Sequence, residues 1–107
     1  MVPQIQPNDL KALLDSGGPV VLLDVRQPEE HAYCHLPGSV LIPLGELAVR
    51  AGEIDPGEAL VVVYCHHGVR SLSGAAILAQ AGFPNVASLA GGIDRWSQVV
   101  DPAMPRY

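Results

Sequence analysis

Cys65 opens the run Cys65-His66-His67-Gly68-Val69-Arg70-Ser71, which sets a nucleophile, a glycine and a cation in one short segment. Leu60-Val61-Val62-Val63-Tyr64 precedes it and reads as a buried strand, being short, apolar and β-branched. The residues from Ser71 to Ala81 read as a helix. A cysteine at a strand end therefore opens a tight loop that feeds a helix N-terminus. Successive backbone N–H groups can point inward there to form an anion-binding concavity, and the helix dipole adds positive potential. The same field favours thiolate over thiol near neutral pH. Arg70 contributes a fixed charge whose forked donors match a sulfonate or phosphate. The chemistry implied is a cysteine nucleophile, Cys65, acting on a small anion.

The other residues of the loop are expected to bind and shape rather than react. His66, His67, Gly68, Val69 and Ser71 offer backbone N–H groups and the wall of the pocket, with Arg70 touching the anion. Gly68 supplies backbone freedom that a side chain would hinder. Asp24 and Arg26 follow a second buried run and are placed to brace the site by pairing with each other or with backbone groups. His35 is expected to hold a loop through hydrogen bonds, His31 to lie at the surface, Trp96 to anchor packing and Cys34 to be incidental. A zinc set of Cys34, His35, Cys65 and His66 would need adjacent ligands, unlike the usual Cys-x-x-Cys or His-x-x-x-His spacings. No metal site and no cofactor is expected.

The elements that must position these residues alternate in type. Asn8 is a plausible N-cap for a helix carrying Leu10, Leu13 and Leu14, which Gly17-Gly18-Pro19 stops. Val20 to Val25 reads as a strand, and the polar stretch from Arg26 to Leu36 as a loop with a short helical turn after Pro28. Pro37-Gly38 turns into a brief strand at Ser39 to Ile42, followed by a helix from Leu44 to Arg50 and a loop from Gly52 to Glu58. The helix after the cysteine loop places Leu72, Ala75, Ala76 and Ala79 on one face, before Gly82 and Pro84 end it. Val86 to Leu89 is a strand, and Gly91-Gly92 leads into a helix from Ile93 to Gln98. Continuous apolar strands alternating with helices predict an α/β fold with a parallel sheet covered on both faces. Ligands of such sheets bind beyond the carboxyl ends of the strands, where Cys65 stands.

Composition bounds the remaining choices. The 107 residues suit one domain, with no internal boundary read from 1 to 107. A net charge of −5 and dispersed basic residues give no basis for nucleic-acid binding. No secretory leader or membrane-spanning run is read, so a cytoplasmic protein without a membrane partner is expected. Two cysteines do not make a disulfide framework, and a reducing compartment suits a reactive thiol.

Taken together the motifs resemble those of the rhodanese-like sulfurtransferases. Cys65-x-x-Gly68-x-Arg70-Ser71 resembles the family's active-site loop. Leu23-Asp24-Val25-Arg26 with Pro28-Glu29-Glu30, His35-Leu36-Pro37-Gly38-Ser39 with Ile42-Pro43-Leu44, and Leu89-Ala90-Gly91-Gly92 with Trp96 resemble its other signatures in order. The resemblance implies a three-layer α/β/α fold around a mainly parallel sheet of about five strands. It also implies a domain that carries sulfane sulfur as a persulfide on Cys65. The partners implied are a small anionic donor such as thiosulfate, an acceptor such as cyanide or a cellular thiol, and a sulfur-relay protein. The chain departs from the family at Cys34, where a glycine is usual before the histidine. Protein tyrosine phosphatases and related arsenate reductases place one residue more between cysteine and arginine than the four found here, a wider cradle suited to a whole phosphoryl group. A non-catalytic binding or regulatory module of the same fold is the other alternative.

Overall fold

The computed structural model describes residues 2–107. Its strands are β1 (Gln4–Ile5), β2 (Val20–Asp24), β3 (Val40–Leu41), β4 (Leu60–Tyr64) and β5 (Val86–Leu89). Its helices are α1 (Pro7–Asp15), α2 (Pro28–Tyr33), α3 (Leu44–Arg50), α4 (Arg70–Gln80) and α5 (Gly92–Val99), with a 3-10 turn at Ala51–Glu53. The strands form one five-stranded sheet in the order β1-β5-β4-β2-β3, and every pairing is parallel.

Alternation along the central strands divides the core in two. Val61, Val63 and Cys65 join Leu23, Val25, Leu47, Ala75 and Leu78 on the α3/α4 side of the sheet. Val62 and Tyr64 join Leu22, Leu10, Ile93 and Trp96 on the α1/α5 side. The period-two placement of strand side chains requires this, so both faces of β4 are apolar and both are covered by helices. The three layers expected from the sequence are thereby present, and Trp96 is the buried anchor it was expected to be, 5% exposed. Tyr64, the residue before Cys65, extends this anchoring to the turn after α2. Its hydroxyl accepts the Leu36 N–H at 3.1 Å and meets Ser39 Oγ at 2.9 Å.

Four expectations are corrected. The N-cap of α1 is Gln6 rather than Asn8, because Pro7 takes the first helical position, where its missing N–H is no loss. β1 escapes sequence reading because two residues carry no periodicity; it exists by pairing with β5, Gln4 opposite Ser88 and Ile5 opposite Leu89. The buried face of α4 is Ser71, Gly74, Ala75 and Leu78, one residue out of step from the face read through Leu72, which is exposed. The helix lies so close to the sheet that small residues face it. A Cβ at Gly74 would stand 3.1 Å from Val63 Cγ1 and 3.3 Å from Val25 Cγ1. His31 is partly buried rather than at the surface, because its Nδ1 donates to the buried Asp24 carboxylate at 2.8 Å.

Candidate active site

Cys65 directly follows β4, is 1% exposed, and its Sγ lies at the focus of the loop it opens. The Gly68 N–H points at Sγ from 3.1 Å and the Ser71 N–H from 3.4 Å, with the Ser71 hydroxyl at 3.5 Å. Ser71 lies in the first turn of α4, so the positive end of that helix is aimed at the sulfur. The Ser71 hydroxyl is in turn bonded to Ser88 Oγ at 2.7 Å. Ser88 stands opposite Val63 in the register of β4 and β5, which puts its side chain on the same face as Cys65. A thiolate at Sγ can therefore accept from two backbone donors and one hydroxyl, and that hydroxyl is oriented by a second.

The loop holds this inward set of N–H groups because its carbonyls are taken from outside. At the start of α5 the Ile93 N–H donates to the Cys65 carbonyl at 2.9 Å and the Asp94 N–H to the His66 carbonyl at 3.0 Å. Gly92, at φ +63°, makes that approach possible, since a Cβ there would collide with both carbonyls. Gly68 has φ +93°, and a Cβ there would lie 3.1 Å from the Gly91 nitrogen. Two glycine-dependent segments thus interlock beneath Cys65.

Around this cradle the side chains divide into a brace and a rim. Asp24 and Arg26 are both fully buried and bonded side by side, Nε to Oδ1 at 2.9 Å and Nη2 to Oδ2 at 2.7 Å. Arg26 also donates to the Cys34 carbonyl at 2.6 Å and to the Tyr107 hydroxyl at 2.8 Å. Burial disfavours its charge, but the bonds to Asp24 and Tyr107 outweigh that and raise its pKa above the ordinary guanidinium value. His35 is exposed, bonded through Nδ1 to the His31 carbonyl at 2.8 Å and stacked on the His31 ring at 4.0 Å. It ties down the end of α2.

On the rim, Arg70 does not stand free. Its fork grips Glu30 with Nη1 to Oε1 at 2.8 Å and Nη2 to Oε2 at 3.0 Å. Arg70 holds the Glu30 carboxyl down at about 2, with burial opposing and the Gln27 N–H and Tyr107 hydroxyl assisting. His66 is sandwiched between the rings of His67 at 4.0 Å and Tyr107 at 3.9 Å. Burial, and then the neighbouring His67, lowers its pKa below that of ordinary imidazole. Val69 is 73% exposed and forms outer wall only.

Among the described residues, the zinc set considered from the sequence is replaced by His66, His67 and Asp94, whose ligand atoms lie within 4.8 Å of one another. Asp94 is already engaged by Arg106 at 3.0 Å and Gln98 at 3.1 Å, and the two imidazoles lie nearly parallel, so their lone pairs do not converge. Cys34 and Cys65 are both free thiols, and their side chains belong to opposite faces of the sheet.

The motifs, the parallel sheet and the interlocked loops place the chain. The family model for the rhodanese-like domain matches residues 6–99. The chain belongs to that family. The chain is 40% identical over 93 residues to the thiosulfate sulfurtransferase GlpE of Pseudomonas syringae, covering 87% of this chain and 85% of that protein. It is 38% identical over 104 residues to the "probable adenylyltransferase/sulfurtransferase MoeZ" of Mycobacterium tuberculosis, 96% of this chain but only 26% of that longer protein. The structure of a rhodanese-like domain protein from Staphylococcus aureus superposes with a TM-score of 0.83 at 25% identity, covering 99% of both chains. Sulfurtransferase is the name of the Allochromatium vinosum relative and part of the name of the Pseudomonas relatives.

Three residues of the rhodanese-like site were not singled out from the sequence. Ser88 carried a signal, since it is the one polar residue in Val86-Ala87-Ser88-Leu89. Glu30 was visible only as part of a motif and of a helix start. Tyr107 carried none, lying 81 residues along the chain from the Arg26 it bonds.

Proposed function

We propose that this domain is a sulfurtransferase that carries sulfane sulfur as a persulfide on Cys65. The observation that carries the reading is the convergence of the Gly68 and Ser71 N–H groups on Cys65 Sγ at the start of α4. Such preorganised donors stabilise the thiolate, the anion leaving the donor and the terminal sulfur of the persulfide without reorganising. The Cys65 thiolate attacks the outer sulfur of a donor such as thiosulfate. The donor's S–S bond breaks, its electron pair departs on sulfite, and a new S–S bond forms on Cys65. An acceptor thiolate or cyanide then attacks the outer sulfur and releases the Cys65 thiolate, so no external oxidant or reductant enters.

His66, His67, Gly68, Val69 and Ser71 form the wall and the anion cradle, Asp24 and Arg26 brace it, and His35 steadies the neighbouring turn. The cradle spans four residues between Cys65 and Arg70, room for one terminal sulfur rather than a phosphoryl group. Residues 1–107 act as one functional unit, handing sulfur to a small thiol or to a protein of a sulfur relay. Among the described residues no helix is long and apolar enough to cross a membrane, and a reducing cytoplasm suits the free thiol.

Intact-mass measurement tests this. Thiosulfate should add one sulfur atom to the wild type, cyanide should remove it, and Cys65→Ser should take up none. A wild-type chain that no donor loads supports a non-catalytic module instead. Thiosulfate:cyanide turnover by the folded Cys65→Ser variant would sink the assignment of the nucleophile.

A further inference from the structure

The arginine of the loop is committed to a carboxylate, and that carboxylate is itself held in place. Glu30 sits in the first turn of α2, where a capping box fixes it: the Gln27 N–H donates to Oε1 at 3.0 Å. Oε2 accepts the Tyr107 hydroxyl at 2.8 Å. Both oxygens accept the Arg70 fork, and the Glu30 side chain is only 18% exposed. The bonds to Glu30 hold Arg70 in its protonated form against burial, with negative charge on Glu30 and on Cys65 adding to this. The cation closest in sequence to the nucleophile is therefore balanced at the mouth by a fixed anion. A donor approaching Sγ meets the inward N–H groups with no surplus charge from Arg70.

We propose that Glu30 is a specificity-determining residue of this site, neutralising Arg70 so that donors of low negative charge are preferred over dianions. The inference rests on the reading of Cys65 as a sulfur carrier and names the class of donor it prefers: a monoanionic persulfide or thiosulfonate over the thiosulfate dianion, which it also accepts. The chemistry is unchanged by this choice. With methanethiosulfonate, the thiolate takes the outer sulfur, the donor S–S bond breaks, and methanesulfinate leaves with the electron pair.

Two donors that differ by one charge make the test. Thiosulfate and methanethiosulfonate each present a sulfane sulfur on an oxidised sulfur, the first as a dianion and the second as a monoanion. Steady-state transfer to cyanide is followed with each, for the wild type, Glu30→Gln and Glu30→Asp, at low and high salt. Glu30→Gln removes the anion and leaves Arg70 unbalanced. Its KM for thiosulfate should fall on the order of tenfold at low salt, and that for methanethiosulfonate by roughly the square root of that factor, because the attraction scales with donor charge. Molar salt should remove most of the difference. Glu30→Asp keeps the charge and should keep the wild-type ratio of the two KM values, which a merely structural role for Glu30 does not predict. If Glu30→Gln is loaded with sulfur but leaves the ratio unchanged, the proposal is overturned while the carrier reading stands. If neither donor loads the wild type, both fail. If Glu30→Asp changes the ratio as Glu30→Gln does, geometry and not charge is responsible, and the proposal fails.

Discussion

Replacing Gly92 by alanine should separate the fold of this domain from its chemistry. Gly92 has φ +63°, a conformation that costs an L-residue about 1–2 kcal/mol. The new Cβ would also collide with the carbonyls of Cys65 and His66, so the start of α5 must move away from the loop. That movement breaks the bonds from Ile93 N–H to Cys65 and from Asp94 N–H to His66, now 2.9 and 3.0 Å long. Each is worth roughly 1 kcal/mol net, giving a total of about 3–4 kcal/mol. At about 4–8 °C per kcal/mol for a domain near this size, the melting temperature should drop by roughly 12–32 °C. Gly57→Ala is the control. Gly57 has a similar φ of +57° with nothing within 4 Å of its Cβ, so it should lose only the conformational cost, about 4–16 °C and less than Gly92→Ala. Thermal unfolding by circular dichroism measures both variants. Intact mass after thiosulfate, taken well below both melting temperatures, then reports sulfur loading, which should slow at least roughly tenfold in Gly92→Ala alone as the loop N–H groups turn from Sγ. Equal melting temperatures for the two variants would refute the interlocking of the loops as described.

Further outcomes follow from the brace and the rim. Arg26→Met leaves the fully buried Asp24 with only the His31 imidazole as a side-chain partner and should destabilise the domain by about 3–5 kcal/mol, measured by urea unfolding; a loss below about 1 kcal/mol contradicts the buried pair. Because the Glu30 carboxyl is held at about 2 in the folded chain against 4.5 ordinarily, its contribution is fully present above pH 4.5 and is lost as pH falls toward 2. The acid limb of melting temperature against pH should therefore be shallower for Glu30→Gln than for the wild type, and parallel limbs argue against it. Tyr107→Ala uncovers one face of His66 and should move its titration midpoint up toward ordinary imidazole, followed by NMR; an unmoved midpoint means that burial by Tyr107 is not the cause.

The site was legible in the sequence wherever its chemistry is local. Cys65, Gly68 and Ser71 lie in one strand-loop-helix segment, and the donors that face Sγ come from within six residues of it. The Asp24–Arg26 pair is equally local, two residues apart. Sequence reading failed where small residues mark contact rather than apolarity does. The face of α4 was read through Leu72, yet Ser71 and Gly74 turn inward because the helix lies against Val63 and Val25. It left out the partner of Arg70, whose forked donors suggested contact with an anion. Nothing in the chain before folding says that Glu30, forty residues away, already fills that fork.

The sequence by itself determined the strand alternation, the turn glycines and the cysteine loop, because those follow from steric preferences and periodicities spanning a few residues. It thereby determined the α/β class and singled out the Cys65 loop as the candidate anion cradle. Only the tertiary structure decided how the cradle is tuned. The bond of Ser88 to Ser71, the Glu30 clamp on Arg70 and the stacking of Tyr107 on His66 join groups that the chain brings together only once the sheet and its covering segments have packed. Charge and burial at the mouth are properties of that assembled surface, and no stretch of sequence carries them alone.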